Sequence, residues 1–286
     1  MHRKVLMVLL LIVGGMSLPA DDAFPLSLVK RDVDSGTLAP DGTTVLAVTE
    51  VASGGYELAT YTIAGKKLRT IVRTPFLASA RMNPGGTRIV MHGEAGKGAT
   101  SSLLVVNADG SGLKPFPSPG GTDIEDRNPW WSTDGSQIAW SRNGEVWIAS
   151  TDGSGARALL RKTGQSYTTI LDWLDRTLLV ATSRFSGDDY HVGLLDAGTG
   201  SLKPTGLVSD NGIFADSTDW ILYGNGPLRQ WDVLEDTEDT DYLEISPSFM
   251  GAVWYSRSAD FSRILMETVD PDVTWAHHLY LLDVSE

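Results

Sequence analysis

No cysteine occurs anywhere in the 286 residues, which removes disulfides, thiolate metal sites and a cysteine nucleophile from consideration. There is also no thiol to carry a lipid anchor, so an exported form is expected to be free of lipid. Basic residues are scarce: 23 Lys and Arg stand against 36 Asp and Glu, a formal net charge of −13. That balance repels nucleic acid and anionic membrane, and it favours a partner with a basic or donor-rich surface. Long apolar runs are missing as well. The run that stands out, Val5 to Val13, is far short of the ~20 residues that span a bilayer. It follows His2, Arg3 and Lys4 and precedes small residues up to Ala20, the order of a secretory signal. Residues 1–20 are therefore expected to be removed on export to the periplasm or medium. Losing Arg3 and Lys4 with them lowers the net charge by two, to −15.

What the chain does have is a repeat. Leu38 to Leu46, Met82 to Val90 and Ser132 to Trp140 are copies of one phrase, each a Pro-Gly or Asp-Gly turn followed by a β-rich run. That is the pattern of a tight hairpin. A second phrase runs in step with it: Val105 to Lys114, Ile148 to Arg157 and, more weakly, Leu194 to Lys203. Two hairpins per unit make four strands per unit. Copies about 40 to 50 residues apart then indicate propeller blades.

The third unit is the clearest, with strands over Asn128–Ser132, Gln137–Ser141, Glu145–Ser150 and Ala156–Arg161. Six such units fit between residues 21 and 286 as one domain. The last unit has three strands, near Ala252–Ser256, Arg263–Val269 and His278–Val284, and lacks an outer one. The segment Pro25 to Arg31 reads as a strand that no other unit claims. An open stack would leave exposed sheet edges, so the N-terminal strand is expected to complete the last blade. The expected fold is all-β, a six-bladed propeller with four antiparallel strands per blade. The acidic run Glu235 to Asp241 is read as a solvated loop in the fifth unit.

Asn128, Pro129, Trp131, Ser132, Asp134 and Gly135, followed by Ala108 to Gly112 and Thr151 to Gly155 as copies of a second motif, resemble the repeats of the TolB-type propeller family. That family's first motif carries proline where this chain has Thr133. The turn residues and Trp131, Trp140 and Trp147 are assigned structural work: positive φ at Gly110 and Gly135, turn bonds from Asp109 and Asp134, and filling between sheets. The resemblance implies a periplasmic, non-catalytic binding scaffold that docks a partner over one end of its propeller. The family's namesake also carries an N-terminal α/β domain. The few residues between Ala20 and the first expected strand have no space for one.

Searches for chemistry return little. There is no Gly-X-Ser-X-Gly elbow, and the look-alike phosphate loop Gly93 to Thr100 has Gly98 after Lys97 where a hydroxyl residue belongs. His92, His191, His277 and His278 all fall near connections between second and third strands, hence at one end of the ring. Strands lying 4.7 Å apart set them too far out to share a metal unless loops fold inwards with Asp270 and Asp272. Glu125 and Asp126 are the pair considered for glycoside chemistry, but adjacent residues on an extended chain point apart. No catalytic residue, metal or cofactor is therefore expected. An enzyme acting on polysaccharide or its oligomers is the alternative to a binding scaffold.

The expected binding surface is the channel mouth formed by loops leading into each first strand. Its longest loop, Gly120 to Asn128, presents Asp123, Glu125, Asp126, Arg127 and Asn128. Gln165 and Tyr167, Asp210 and Asn211, and Ser246 and Ser248 complete the ring. The expected partner is another envelope or secreted protein with a basic or donor-rich surface, bound by a monomer.

Overall fold

The computed structural model describes residues 26–120, 126–164, 166–184, 190–208, 213–215, 220–223, 228–232, 237–243, 252–269 and 277–283. The expected signal segment lies outside them. Every element among the described residues is a strand, and none of them is a helix long and apolar enough to cross a membrane.

The strands run in chain order. The N-terminal β1 (Leu26–Val33) is followed by β2 (Ser35–Leu38), β3 (Thr44–Glu50), β4 (Tyr56–Thr62) and β5 (Lys67–Thr74). The next unit holds β6 (Leu77–Met82), β7 (Arg88–Gly93), β8 (Ser102–Asn107) and β9 (Lys114–Pro115). Then come β10 (Asp126–Trp131), β11 (Gln137–Arg142), β12 (Glu145–Ser150) and β13 (Arg157–Leu160). They are followed by β14 (Ser166–Leu174), β15 (Thr177–Arg184), β16 (Tyr190–Asp196) and β17 (Leu202–Val208). The last units are β18 (Ile213–Ala215), β19 (Trp220–Tyr223), β20 (Leu228–Asp232) and β21 (Thr237–Leu243), then β22 (Ala252–Arg257), β23 (Arg263–Val269) and β24 (His277–Asp283).

These pair into four-stranded antiparallel sheets, each a meander of consecutive strands except the last, whose order is β1-β24-β23-β22. The first strands lie side by side around an axis: β2 by β6, β6 by β10, β10 by β14, β14 by β18, β18 by β22, and β22 by β2 again. The result is an all-β propeller. Side-chain packing is described for five of its blades; the sheet β18–β21 is described by its backbone pairing alone. The count of six packed blades is thus reduced to five with described cores. The acidic run read as a loop is also corrected, because β21 begins at Thr237 and draws most of it into a sheet.

Burial follows from stacking sheets face to face. The middle strands are covered on both sides, so Val45 to Val48 and Leu103 to Val106 are buried without alternation. The outer strand β5 is exposed over its first half. Trp131 and Trp140 are buried between the second and third blades with Phe116, Val90 and Leu103, and Trp147 packs against that cluster.

The two repeated phrases have different jobs. In the first, Asp41, Asp134 and Asp260 accept hydrogen bonds from the backbone and hydroxyls of their own turns. In the second, the glycine abuts the preceding blade. A Cβ on Gly110 would lie 2.5 Å from the Ile71 carbonyl oxygen, and one on Gly200 2.5 Å from that of Leu159. Gly65 of the first unit meets the Val29 carbonyl oxygen of β1 in the same way, at 2.3 Å. The N-terminal strand therefore occupies the outer-strand place of the last blade, as its pairing with β24 (Leu26 to Leu282, Val33 to His277) also requires. Val29 and Val33 seal that joint against Leu279 and Leu281.

Candidate functional site

Of the expected mouth residues, Asp123, Glu125, Gln165, Asp210 and Asn211 lie outside the described residues, as do Ser246 and Ser248. The four that are described divide. Asp126 is 3% exposed. Its carboxylate accepts from Arg142 Nε at 2.5 Å and Nη2 at 2.6 Å, from Trp140 Nε1 at 2.8 Å and from Ser118 Oγ at 2.7 Å. Four donors around a buried carboxylate make a structural node, so Asp126 is not presented to a partner. Asn128 has φ 48° and donates to Thr169 Oγ1 at 3.0 Å and to the Ile170 carbonyl, which ties the third blade to the fourth. Arg127 is exposed, and Tyr167 is 43% exposed with the Lys162 ammonium 4.2 Å from its ring centre.

The opposite end of the channel carries a cavity of ≈ 230 Å³, lined where the first strands β2, β6, β10, β14 and β22 run into their hairpin turns. Its walls are mostly apolar, with Leu38, Met82, Trp130, Trp173 and Leu174 among them. Two arginines enter it. Arg257 donates to Asp172 from Nε at 2.9 Å and Nη2 at 3.3 Å, and its guanidinium lies 4.1 Å from the Phe261 ring centre. Arg81 stacks on Trp130 at 3.4 Å. Its Nε is buried with no hydrogen-bond partner, as is Trp130 Nε1. Desolvation lowers the Arg81 pKa to about 10, opposed by the charges of Asp172 and Glu267, so the group stays cationic at neutral pH. Asp172 is already spent on Arg257. Among the described residues Arg81 has no ion pair of its own.

Phe261 is out of pattern. In the other turns of this phrase the matching residue is Gly42, Gly86 or Gly135, at φ 68°, 67° and 71°. Phe261 holds φ 59° and donates its N–H to the Ser258 carbonyl, as Gly135 does to that of Ser132. A side chain in that conformation costs on the order of 1–2 kcal/mol. Phe261 lies on the wall of the cavity. The signal was readable: Ser258-Ala259-Asp260-Phe261 set beside Ser132-Thr133-Asp134-Gly135 shows the departure. Nothing in the sequence marked Arg81 or Asp172.

The histidines do not converge. His92 is buried, its Nε2 2.7 Å from Ser101 Oγ and its ring edge-on to Phe76. Burial, helped by the Arg127 charge, pushes its pKa down to about 4. His191 is exposed. His277 Nδ1 lies 2.6 Å from Glu267, whose other oxygen accepts from the Gly36 N–H of β2; the Glu267 contact raises the His277 pKa. No three His, Asp or Glu side chains among the described residues are grouped to hold a metal; Asp270 and Asp272 lie outside those residues.

No protein-family model and no curated protein matches the chain. Solved structures do. The β-propeller domain of the Trilobed protease from Pyrococcus furiosus superposes with a TM-score of 0.55 at 11% identity, covering 88% of this chain and 82% of that one. An oligogalacturonate lyase in complex with manganese gives 0.52 at 9% identity over 93% and 91% of the two chains. TolB from Acinetobacter baumannii gives 0.54 at 14% identity, over 78% of this chain and 56% of that one. At such identities the likeness is one of architecture: the chain has a β-propeller fold similar to that of TolB.

Proposed function

We propose that the protein is an exported, non-catalytic binding propeller that docks a partner protein at the channel end formed by the loops into its first strands. One observation carries this reading. Each buried carboxylate described beside the channel already has a partner: Asp126 is ion-paired with Arg142, Asp172 with Arg257, and Glu267 lies in hydrogen-bond contact with His277. The two arginine-paired carboxylates, Asp126 and Asp172, brace the ring and are poorly placed for proton transfer or nucleophilic attack. In this reading the sheet β18–β21 serves as the sixth blade of a closed ring, and residues 1–20 direct the chain out of the cytoplasm. Arg127 and Tyr167 face the partner, and Asp123, Glu125, Gln165, Asp210 and Asn211, which lie outside the described residues, are proposed as further contacts. The partner offers a basic or donor-rich surface, since the chain as a whole is strongly acidic.

The test is affinity capture from the native envelope fraction, with the wild type beside a double Arg127→Ala, Tyr167→Ala variant. The expected result is a partner retained by the wild type, lost by the variant, and bound more slowly as salt rises. Equal capture by both proteins would remove the assignment of this surface. A second reading, an enzyme acting on acidic oligosaccharides, draws on the His277–Glu267 pair and on the likeness to the lyase. Release of unsaturated products from oligogalacturonate, lost in a His277→Ala variant, would establish it in place of the first.

A further inference from the structure

We propose that the cavity where the first strands meet their hairpin turns is a second binding site, specific for the carboxylate of a compact ligand with an apolar body. The Arg81 guanidinium would receive the carboxylate and the Phe261 ring would form a wall. Three independent features meet there. Arg81 is a cation stacked on Trp130, and among the described residues its buried Nε has no hydrogen-bond partner and its guanidinium no carboxylate of its own. The nearest acid in the cavity, Asp172, is held by Arg257, so that pair contributes no net charge. Glu267, which also feels Arg81, is held by His277 and the Gly36 N–H. A half-buried cation left in this state is stabilised by an incoming anion, and a guanidinium grips a carboxylate through paired hydrogen bonds.

The lining sets the rest of the ligand. Trp130, Met82, Leu38, Trp173 and Leu174 offer faces for an apolar or aromatic body and few partners for a chain of hydroxyls. A volume of ≈ 230 Å³ is about eight times the ~30 Å³ share of one water, so the site takes a small acid or a single chain end. Phe261 is the third feature. The first three blades make this turn with glycine, yet here it tolerates a phenyl ring at positive φ, with that ring on the cavity wall and against Arg257. A site at this end is independent of the docking surface proposed above, at the other end of the channel, so either can fail without the other.

The ligand classes are told apart with benzoate, its neutral analogue benzamide, the chain-end mimic acetyl-Gly-Phe, and galacturonate, by calorimetry on the chain from residue 21. At least one of benzoate and acetyl-Gly-Phe should bind at least about tenfold more tightly than benzamide and galacturonate, the scale of one charge-assisted pair. Preference for benzoate assigns the site to a free small acid, and preference for acetyl-Gly-Phe to a peptide terminus; both support a carboxylate pocket. Arg81→Gln should erase the difference between acid and amide. Phe261→Gly, which relaxes the turn, should weaken the acid several-fold without lowering the melting temperature. The proposal is overturned if acid and amide bind alike to the wild type, if neither acid binds, or if galacturonate binds best. These comparisons on the wild type hold even where Arg81→Gln does not fold.

Discussion

Arg142 grips Asp126 along both guanidinium edges, Nε to Oδ1 at 2.5 Å and Nη2 to Oδ2 at 2.6 Å, with both residues buried. The guanidinium also reaches the Pro119 carbonyl, so it fastens the loop leading into the third blade as well as its first strand. Removing one member of such a pair strands the other charge away from water. Asp126→Ala is expected to cost about 3–5 kcal/mol in urea unfolding. Arg127→Ala, one residue on and exposed, should change stability by no more than about 0.5 kcal/mol. Equal midpoints for the two variants would show that the pair does not hold the blade.

Removal of β1 tests the joint between the chain's two ends. A chain starting at Asp34 loses the ladder to β24 and uncovers the face that Val29 and Val33 seal. A drop of several kcal/mol is expected from the lost apolar burial and the exposed edge. Melting together with the longer chain would rule out this closure.

Glycine positions in the two phrases separate steric need from conformational need. Gly110 has φ 91° and a carbonyl where its Cβ would go, whereas Gly155 has φ 66° and open space. Gly155→Ala should cost about 1 kcal/mol, the penalty of the left-handed conformation alone. Gly110→Ala should cost clearly more, because the Ile71 strand of the neighbouring blade must move. Matched losses in thermal unfolding would refute the cross-blade contact.

His92 gives stability a definite pH slope. Its folded pKa, about 4, lies below the ordinary 6.5, so between those values the unfolded chain binds the extra proton and stability rises with pH. The full difference is on the order of 3 kcal/mol. His277 acts with the opposite sign. Its raised pKa adds stability that is complete below the ordinary value and is lost as pH rises through the folded one. His92→Phe should flatten the acid limb and leave the decline above it. An unchanged acid limb in that variant would exclude His92 as its source.

The architecture was legible because its signals are local and repeated. Asp134-Gly135 and Asp109-Gly110 state the turns outright, and the missing outer strand of the last unit pointed to residues 25–31. The sites were less legible because side-chain direction depends on partners distant in sequence. Asp126, on a polar loop, reads as exposed until Arg142 and Trp140 close over it. Arg81 looks like any strand residue until β14 and β22 bring Asp172 and Arg257 together without it. Phe261 was legible in principle, since a bulky residue in a glycine slot is visible by comparing copies of the repeat.

The antiparallel joint of β1 and β24 also decides how the ring responds to force. Leu26 stands beside Leu282, so tension applied through the two chain ends enters at one end of the same ladder. Pulled that way, its hydrogen bonds break pair by pair instead of sharing the load, as a zipper opens where a sheared lap joint would hold. The ring should therefore yield first at this seam and at low force, with the remaining blades still folded. A single-molecule pulling trace should record that opening as a small step ahead of the main rupture.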